Sequence, residues 1–403
     1  MDRRHFIGAL GATVAAPSIV RADAPERPFK FGVLTDMNGI FSDATGRGSL
    51  IAAQMAVEEF GGKVLGRPIK VISGDHQNKP DIGASIAREW YDVGGVDVIL
   101  DVPVSSIGIA IQKIATDKNK MFITSAGGSV DLSGKFCTPN FIQWTYNTFA
   151  LANVAGKGMV QRGGDSWFFI VADYAFGRAL EKDVTDVVTK TGGKILGRAP
   201  HPINTTDFSS SLLKAKESGA KVIALANSGG DMQTAIKQAA EFAMLNSNQK
   251  FVALLIDFSD VKAIGLPLAQ GLLATFGFYW NMDERTRDFA RRFEAEAGKK
   301  PGMMHAGVYS SAINYLKAIS AAGDAEPASV VKQLRLMKID DAFARNGRLR
   351  ADNLMVHDMY LAQVKKPSES SGPDDVYSIL ATVPGDEAFT PLDQSACPMV
   401  AQK

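Results

Sequence analysis

Residues Trp167–Gly177 read WFFIVADYAFG, and this stretch decides the fold class. Trp167–Ala172 is a continuous apolar run of strand length, and Asp173–Gly177 turns directly into an amphipathic helical pattern over 179–191. A strand that is apolar on both faces is typical of a parallel sheet covered on both sides. A short turn from such a strand into a helix predicts part of a βαβ unit, and therefore an α/β fold.

The same alternation of strand and helix continues on both sides of this stretch. Towards the N-terminus the pattern predicts strands over 29–35, 69–73, 96–102 and 121–125, and helices over 48–60, 81–93 and 107–117. Towards the C-terminus it predicts strands over 194–199, 222–226, 251–256, 272–278, 359–364 and 376–382, and helices over 208–218, 231–242, 283–297 and 307–321. Two successive series of this kind predict two doubly wound, Rossmann-like lobes with parallel sheets.

The first 24 residues have the organisation of an export signal. Arg3-Arg4-His5-Phe6-Ile7 resembles the start of a twin-arginine signal, and the mostly apolar run over 6–20 is shorter than the roughly 20 residues of a membrane span. Ala22-Asp23-Ala24 then supplies a small-x-small cleavage site. We therefore expect residues 1–24 to be removed on export to the periplasm, by the general secretory or the twin-arginine route. The alternative is a buried N-terminal helix.

The charge and length of the remaining chain limit its partners. It carries 41 basic and 41 acidic residues, and 46% of the whole chain is apolar. Nucleic-acid binding requires clustered cations that neutralise phosphates, and the sequence has no basic run. No later segment is apolar over the length of a bilayer span. We expect an exported monomer with two domains that binds neither nucleic acid nor a membrane surface.

The chain contains two cysteines, Cys137 and Cys397. An oxidising compartment favours their pairing as a disulfide over two free thiols. The bridge closes a loop of about 260 residues and ties the C-terminal tail, residues 396–403, to the middle of the chain. Their wide spacing excludes a CxxC redox or zinc motif.

Motifs that carry catalysis or bind phosphate are missing from the sequence. It has no His-Glu-x-x-His, no Gly-x4-Gly-Lys-Ser/Thr and no Gly-x-Ser-x-Gly, and its five histidines are scattered. Gly46 and Gly48 lack the third glycine of a dinucleotide-binding loop, because Ile51 occupies that position. We therefore expect a binding protein rather than an enzyme, with no cofactor and no metal ion.

Small polar turns recur where the predicted strands end and the helices begin. The four turns are Val104-Ser105-Ser106, Ser125–Ser129, Asp173–Gly177 and Asn227–Asp231. Ligands of open parallel sheets bind outside the carboxyl ends of the strands, and free amides at a helix start suit a carboxylate. Ordinary helix capping explains any single turn as well. Two such turns in each half predict a ligand cleft between facing strand ends.

Seven segments follow one another in a specific order and spacing. They are Phe31-Gly32-Val33-Leu34 with the Asn38-Gly39 turn, Ala53–Glu58 (AQMAVE), Asp75–Pro80 (DHQNKP), Ser105-Ser106, Ser125–Ser129, Ala172–Gly177 (ADYAFG) and Asn227–Asp231. Together they resemble the branched-chain-amino-acid-type, or type I, periplasmic solute-binding proteins of ABC importers, over nearly the whole mature chain. DHQNKP and ADYAFG are most similar to members that import aromatic carboxylic acids of the benzoate or hydroxycinnamate type.

This resemblance implies two α/β lobes joined by a three-segment hinge. Lobe 1 is then formed by residues 26–147 plus 281–356, and lobe 2 by 148–280 plus 357–395. It also implies that the lobes close over a small-molecule ligand by hinge motion, and that the closed protein docks on permease subunits in the inner membrane. A periplasmic sensor subunit with the same fold is the alternative of a different class.

The resemblance also implies where the ligand carboxylate is bound. Ser105 and Ser106 match the position at which a lobe 1 serine receives this carboxylate. Gly127, Gly128 and Ser129 match the backbone and hydroxyl donors beside it, although members of the family often have threonine at the last of these positions.

Other positions depart from the amino-acid-binding members. Phe176, with Tyr174 two residues before it, and the pair Asn227 and Ser228 occupy places where those members have tyrosine. The pair Asp257 and Phe258 lies near the acidic residue that holds a ligand ammonium, but the usual Gly-Pro-Glu/Asp-Gly context is missing. We therefore expect an aromatic carboxylate as ligand, with a branched-chain or other apolar amino acid as the alternative.

An aromatic ligand requires flat apolar walls. The candidate walls are Phe41, Tyr146, Tyr174, Phe176, Tyr279 and Trp280, for each of which core packing is the alternative. Ser42 is a further candidate beside the first of these rings. His76 and Gln77 follow a strand end, where they either hydrogen-bond the ligand or belong to a capped surface turn.

Overall fold

The computed structural model describes residues 27–160, 162–245 and 247–401. The predicted export signal, residues 1–24, lies outside the described residues, as does the end of the C-terminal tail. Within the described ranges no helix combines the length and the apolar character that crossing a membrane requires.

The N-terminal part of the described chain forms a six-stranded sheet. Its strands are β1 (Phe29–Thr35), β2 (Lys63–Val64), β3 (Arg67–Asp75), β4 (Val98–Asp101), β5 (Met121–Thr124) and β6 (Phe141–Gln143). The helices between them are α1 (Gly46–Phe60), α2 (Pro80–Asp92) and α3 (Ser105–Asp117). The strand order is β2-β3-β1-β4-β5-β6, and all neighbours are parallel except β2 and β3.

A second, four-stranded parallel sheet follows. The chain enters it through α4 (Thr148–Leu151), a π-helical turn (Ala152–Gly156) and α5 (Lys157–Val160). The sheet and its helices are β7 (Ser166–Ala172), α6 (Ala175–Lys190), β8 (Lys194–His201), α7 (Ser209–Glu217), β9 (Val222–Ala226), α8 (Gly229–Glu241) and β10 (Lys250–Ala253). The strand order is β10-β9-β7-β8.

The rest of the described chain completes both halves. Its elements are α9 (Phe258–Ile264), α10 (Leu266–Ala269), β11 (Leu273–Phe276), α11 (Glu284–Ala297), α12 (Met303–Ala322), α13 (Pro327–Leu336), β12 (Arg348–Leu349), β13 (Met355–Val356), β14 (Met359–Val364), β15 (Tyr377–Val383), α14 (Gly385–Ala388) and α15 (Pro398–Ala401). Strands β11, β14 and β15 form a small antiparallel sheet. Short 3-10 turns cover Pro367–Glu369 and Leu392–Gln394.

The chain passes between the two halves three times. It leaves the first sheet after β6, and it returns after β11, because α11 and α12 pack on α1. It crosses again between β13 and β14. We call the first sheet with α1–α3 and α11–α13 lobe 1, and the second and antiparallel sheets with α6–α10 lobe 2.

The predicted α/β fold with mainly parallel sheets is confirmed. Phe169 and Ile170 point to opposite faces of β7, and both are fully buried, because helices cover the sheet on both sides. The structure differs from the expectation in its third sheet. The pattern predicts strands over 272–278, 359–364 and 376–382, but their antiparallel pairing depends on contacts between segments that are distant in sequence.

The two cysteines form the predicted disulfide. Cys137 and Cys397 have their Cα atoms 5.5 Å apart, and the bridge joins the C-terminal tail to the loop before β6. Both side chains are buried. The bridge therefore attaches the end of the chain, which follows lobe 2 in sequence, to lobe 1.

Candidate functional site

A cavity lies where the carboxyl ends of the parallel strands in the two lobes face each other. Its volume is about 30 Å³, which is room for about two water molecules. Lobe 1 and the first crossover supply Phe41, Ala44, Thr45, Pro103, Ala126, Tyr146 and Met304, and lobe 2 supplies Tyr174, Phe176, Ser228, Gly229, Leu255, Asp257 and Asp260. The sequence predicts this position for a ligand site in parallel sheets.

Four long helices begin at the cavity. Thr45, Tyr174 and Ser228 are the residues directly before α1, α6 and α8, and Met304 lies in the first turn of α12. The first turn of a helix presents amide N–H groups without intrahelical partners and the positive end of the helix dipole. This arrangement favours an anionic group in the cavity.

Aromatic rings form one wall of the cavity. Tyr146 is fixed by its hydroxyl, which donates a hydrogen bond to the carbonyl of Ala126 at 2.8 Å. The rings of Tyr174 and Phe176 have their centroids 6.0 Å apart. Gly128 packs directly on this wall, because a Cβ at this position would lie 2.4 Å from Cε2 of Tyr146 and 3.0 Å from Cε2 of Phe176. The glycine therefore lets the turn approach the rings.

Two buried carboxylates, of Asp257 and Asp260, also line the cavity, and both accept hydrogen bonds from the protein. Oδ1 of Asp257 accepts the amide of Met303 at 3.1 Å, and its Oδ2 accepts the amide and the hydroxyl of Ser259. Oδ2 of Asp260 accepts the amide of Asp257 at 2.9 Å, and its Oδ1 accepts Nε2 of Gln233 at 2.8 Å. Both carboxylates therefore cap the start of α9.

Burial changes the acidity of these two groups. It raises the pKa of Asp257, and it raises the pKa of Asp260 to about 7, against the opposing effect of hydrogen bonds to each group. Among the described residues no lysine or arginine lines the cavity, and no cluster of His, Cys, Asp and Glu is arranged to bind a metal ion. Burial therefore favours the neutral form of both acids, and the helix starts are the source of positive potential in the cavity.

The two lobes contact each other across the cleft. The amide of Gly230 donates to the carbonyl of Ile40 at 3.0 Å, and Asp257 of lobe 2 accepts the amide of Met303 of lobe 1. A Cβ at Gly229 would lie 2.5 Å from the Ile40 carbonyl oxygen. Glycine is therefore required where α8 meets the opposite lobe, and the lobes are closed.

The predicted carboxylate-binding serines lie beside the cavity rather than on its surface. The hydroxyl oxygen of Ser105 accepts the amide of Ser129 at 3.1 Å, and the hydroxyl oxygen of Ser129 accepts the amide of Asp131 at 3.3 Å. Both side chains are fully buried, and Ser106 is half-buried. The amide of Gly127 donates to a threonine hydroxyl at the end of β5. These bonds fix the turn after β5 against the start of α3.

His76, Gln77 and Ser42 also lie outside the cavity lining. His76 is buried, and its Nδ1 accepts the amide of Asn78 at 3.1 Å. Burial lowers the pKa of His76 to about 4, so the ring is neutral at physiological pH. Gln77 has an exposed side chain, and the hydroxyl of Ser42 donates to the carbonyl of Gly39 at 2.8 Å.

Asn227 belongs to a buried polar cluster behind the cavity. Its Nδ2 lies 3.0 Å from Nε2 of His201. Nδ1 of His201 lies 4.0 Å from the carboxylate of Asp231, and burial raises the pKa of Asp231 to about 7. The cluster lies at the ends of β8 and β9, directly before Ser228, which does line the cavity.

Three predicted aromatic residues pack in lobe 2 outside the cavity lining. The hydroxyl of Tyr279 and Nε1 of Trp280 both donate to the carbonyl of Asp374 at 2.9 Å, which fixes the polar loop 366–375. The ring of Phe258 packs on Tyr279 with a centroid distance of 6.2 Å. In this conformation they stabilise lobe 2.

Eight lining residues are absent from the predicted set, namely Ala44, Thr45, Pro103, Ala126, Gly229, Leu255, Asp260 and Met304. Ala126 and Gly229 lie within turns that the sequence singles out, and Asp260 stands three residues after Asp257, as in a capping box. Met304 has no local signal, because it reaches the cavity through the packing of α12 on α1.

The sequence model described as "Periplasmic binding protein" matches residues 28–372. The chain belongs to this family. It is therefore a periplasmic ligand-binding protein, as the turns and the seven segments predict. A type I periplasmic binding protein fold agrees with the two parallel sheets and the three crossovers.

Solved structures agree with this assignment. A periplasmic binding protein from Burkholderia mallei is 46% identical, with a TM-score of 0.90, over 92% of this chain and 99% of that one. A branched chain amino acid ABC transporter periplasmic ligand-binding protein from Burkholderia xenovorans LB400 is 40% identical, with a TM-score of 0.82, over 92% and 100%. A solute binding protein of an ABC transporter from Rhodopseudomonas palustris BisB5, in complex with 3,4-dihydroxybenzoic acid, is 20% identical and shares the fold, with a TM-score of 0.80, over 89% and 98%.

Proposed function

We propose that this protein is the extracytoplasmic solute-binding subunit of an ABC importer, and that it captures a small aromatic carboxylate of the benzoate or hydroxycinnamate type between its lobes. The observation that carries the proposal is the composition of the cavity. Rings of Phe41, Tyr146, Tyr174 and Phe176 line a space at which four long helices begin. Rings suit an aromatic body, and helix starts suit a carboxylate.

The importer assignment is supported by the relative from Burkholderia xenovorans LB400. That protein is a periplasmic ligand-binding protein of an ABC transporter, and this chain covers its whole length at 40% identity. The expected partners are therefore permease subunits in the inner membrane. We propose that they recognise the closed arrangement of the lobes, because closure alone brings surfaces of both lobes into one fixed relation.

Two observations support a ligand without an ammonium group. All four carboxylate oxygens of Asp257 and Asp260 already accept hydrogen bonds from the protein, so these acids do not need a ligand cation as a partner. The structure from Rhodopseudomonas palustris BisB5 contains 3,4-dihydroxybenzoic acid, which shows that this fold accommodates an aromatic acid.

An apolar amino acid is the second candidate. Asp257 and Asp260 line the cavity, and no lysine or arginine among the described residues does so. A ligand ammonium offsets buried negative charge, whereas a carboxylate alone adds to it. The Burkholderia xenovorans LB400 relative carries the description of a branched chain amino acid protein.

Either ligand requires the lobes to separate before it enters. The cavity of about 30 Å³ is far smaller than a benzoate or a leucine. Opening at the three crossovers breaks the contact between Ile40 and Gly230 and exposes the helix starts. Ligand binding and closure are therefore one coupled equilibrium, in which the ligand stabilises a closed state that has a larger cavity between the rings and retains the contact between Ile40 and Gly230.

A thermal-shift panel tests the proposal. Benzoate, 4-hydroxybenzoate and 4-hydroxycinnamate form one arm, and L-leucine, L-valine and L-phenylalanine form the other. A ligand at 100 times its Kd adds about 2.7 kcal/mol to the free energy of unfolding. Stabilisation by aromatic acids supports the proposal, stabilisation by amino acids alone supports the second candidate, and no response in either arm contradicts both.

A variant pair separates the two candidates by charge. Asp260→Asn removes one acid from the cavity, and Asp231→Asn removes a buried acid of similarly raised pKa that lies outside it. For an aromatic carboxylate we expect Asp260→Asn to leave the Kd unchanged or to lower it. For an amino acid we expect the Kd to rise about tenfold or more, with Asp231→Asn unchanged in both cases.

A further inference from the structure

The motif Asp75–Pro80 (DHQNKP) is conspicuous in the sequence, but none of its residues lines the cavity. The pairing of strands β1 and β3 determines the position of this motif. Strand β1 runs parallel to β3 with Thr35 opposite Asp75, and the amide of His76 donates to the carbonyl of Thr35 at 3.1 Å. The motif therefore lies beside the segment that follows β1.

One side chain of the motif crosses to that segment. Nδ2 of Asn78 donates to Oδ2 of Asp36 at 2.8 Å. The position of Asn78 depends on an unusual backbone, because Gln77 and Asn78 have φ angles of 52° and 56°, in the left-handed region that asparagine tolerates better than most residues. Oδ1 of Asp75 accepts the amide of Gln77 at 2.8 Å and thereby stabilises this turn.

Asp36 in turn organises residues 36–41, which we call the closure loop. Its Oδ1 accepts the amide of Gly39 at 2.7 Å, and its Oδ2 accepts the amide of Phe41 at 3.0 Å. The loop wraps tightly around this buried carboxylate, because a Cβ at Gly39 would lie 2.6 Å from both of its oxygens and 2.7 Å from Nδ2 of Asn78. The carboxylate thus ties the closure loop to the motif.

The closure loop is one of the parts of lobe 1 that touch lobe 2. The carbonyl of Ile40 accepts the amide of Gly230 at 3.0 Å, and the ring of Phe41 lines the cavity. A continuous set of hydrogen bonds therefore connects Asn78 to the opposite lobe, through Asp36 and the closure loop. Within this set of hydrogen bonds, Asn78 itself contacts neither the cavity nor lobe 2.

We infer that Asn78 is a positioning residue for ligand capture, which acts through Asp36 to maintain the closure loop in the conformation that meets Gly230 and places Phe41 at the ligand. The inference rests on the proposed solute-binding function. Loss of the amide donor leaves each lobe folded but loosens the closure loop. Because ligand enters the open protein and is retained by the closed one, the dissociation rate should rise while the association rate stays unchanged.

The first test needs no ligand. Hydrogen exchange in the full exported chain compares wild type with Asn78→Ala and with the matched control Gln77→Ala, which has the same left-handed backbone but an exposed side chain. We expect the amides of Gly39 and Phe41 to exchange at least tenfold faster in Asn78→Ala alone. Equal exchange in wild type and Asn78→Ala would overturn the inference, as would equal acceleration in both variants.

The second test measures capture, with 4-hydroxybenzoate and L-leucine as probes in stopped-flow binding. For a probe that binds wild type, Asn78→Ala should raise the dissociation rate constant about tenfold. Its association rate constant should stay close to that of Gln77→Ala. The unfolding midpoints of the two free variants should also be similar. A wild-type dissociation rate in Asn78→Ala refutes the role in closure.

A further variant keeps the inference testable if Asn78→Ala does not fold. Asn78→Asp retains the size and the left-handed backbone tolerance of asparagine but places a second carboxylate opposite Asp36, so it should accelerate loop exchange at least as strongly. If neither probe binds wild type, the proposed ligand class fails, and the exchange comparison alone decides the positioning of the closure loop.

Discussion

Replacing Gly230 with alanine should impair closure and leave the separate lobes intact. The amide of Gly230 lies 3.0 Å from the carbonyl oxygen of Ile40 in the opposite lobe. A Cβ at this position would lie 2.9 Å from Cγ2 and 3.1 Å from Cβ of Ile40, well inside carbon–carbon contact distance. Gly230 is the second residue of α8 and lies outside the left-handed region, so alanine fits its backbone.

The expected change in the ligand Kd depends on whether the clash between the added Cβ and Ile40 occurs in the open or the closed state. Overpacking a tight contact costs about 1–3 kcal/mol, and here that cost falls on the closed state alone. Alanine also raises helix propensity by up to about 1 kcal/mol, but this gain applies equally to the open and closed states and leaves the balance unchanged. A cost of about 1–3 kcal/mol to closure corresponds to a Kd that rises about 5- to 150-fold.

Isothermal titration calorimetry with a probe that stabilises wild type in the thermal-shift panel measures this Kd, and small-angle X-ray scattering measures closure. The control is Gly372→Ala, which adds a methyl group in lobe 2 where no heavy atom lies within 4 Å of it. A Gly230→Ala protein that binds within twofold of wild type and closes normally would refute the reasoning, because the contact with Ile40 would then not form in the liganded state.

Three further predictions concern stability. Burial raises the pKa of Asp101 to about 7, so the folded state binds more protons than the unfolded state between about pH 4 and 7, and stability falls as pH rises through that window. Asp101→Asn should therefore raise the unfolding free energy by about 1–3 kcal/mol at pH 8 and by less at pH 5; an equal change at both pH values in denaturant titrations would contradict this. Reducing the Cys137–Cys397 disulfide should lower stability by about 2–4 kcal/mol, and an unchanged melting temperature in reductant would show that the bridge contributes little. Trp280→Phe removes a hydrogen bond to Asp374 and should cost about 1 kcal/mol of stability without changing the ligand Kd; a weaker Kd would show that Trp280 reaches the ligand.

Local pattern was sufficient for most elements of the two parallel sheets, but it missed the short edge strands β2 and β6. Strand β1 matches its predicted limits of 29–35, and β9 matches 222–226, because each is a short apolar run between clear turn residues. Helix limits shift by a few residues at the N-terminal end. For α6 the pattern indicates residue 179, whereas the helix begins at Ala175, because its first turn faces the cavity and carries no periodic apolar signal.

Some residues of the candidate site were predictable from local sequence, and others were not. Tyr174, Phe176 and Ser228 line the cavity and were predictable, because each stands at the end of a predicted parallel strand. Ser105 and Ser129 belong to the turns after two other parallel strands, but the hydroxyl of Ser105 accepts the backbone amide of Ser129, and the hydroxyl of Ser129 accepts the amide of Asp131. Sequence identifies such a turn, but the direction of each hydroxyl depends on the packing around it.

The sequence by itself determined the class of fold, the disulfide pairing and the edge of each sheet where the candidate site lies. Those properties depend on the period of apolar residues, on a single possible cysteine pair, and on the polarity of parallel strands. Tertiary structure alone decided that Asn78 donates a hydrogen bond to Asp36, that the hydroxyl of Tyr279 donates to the carbonyl of Asp374, and that Gly230 contacts Ile40. These are contacts between residues far apart in the chain, and their distances are set by how the two lobes pack rather than by any local propensity.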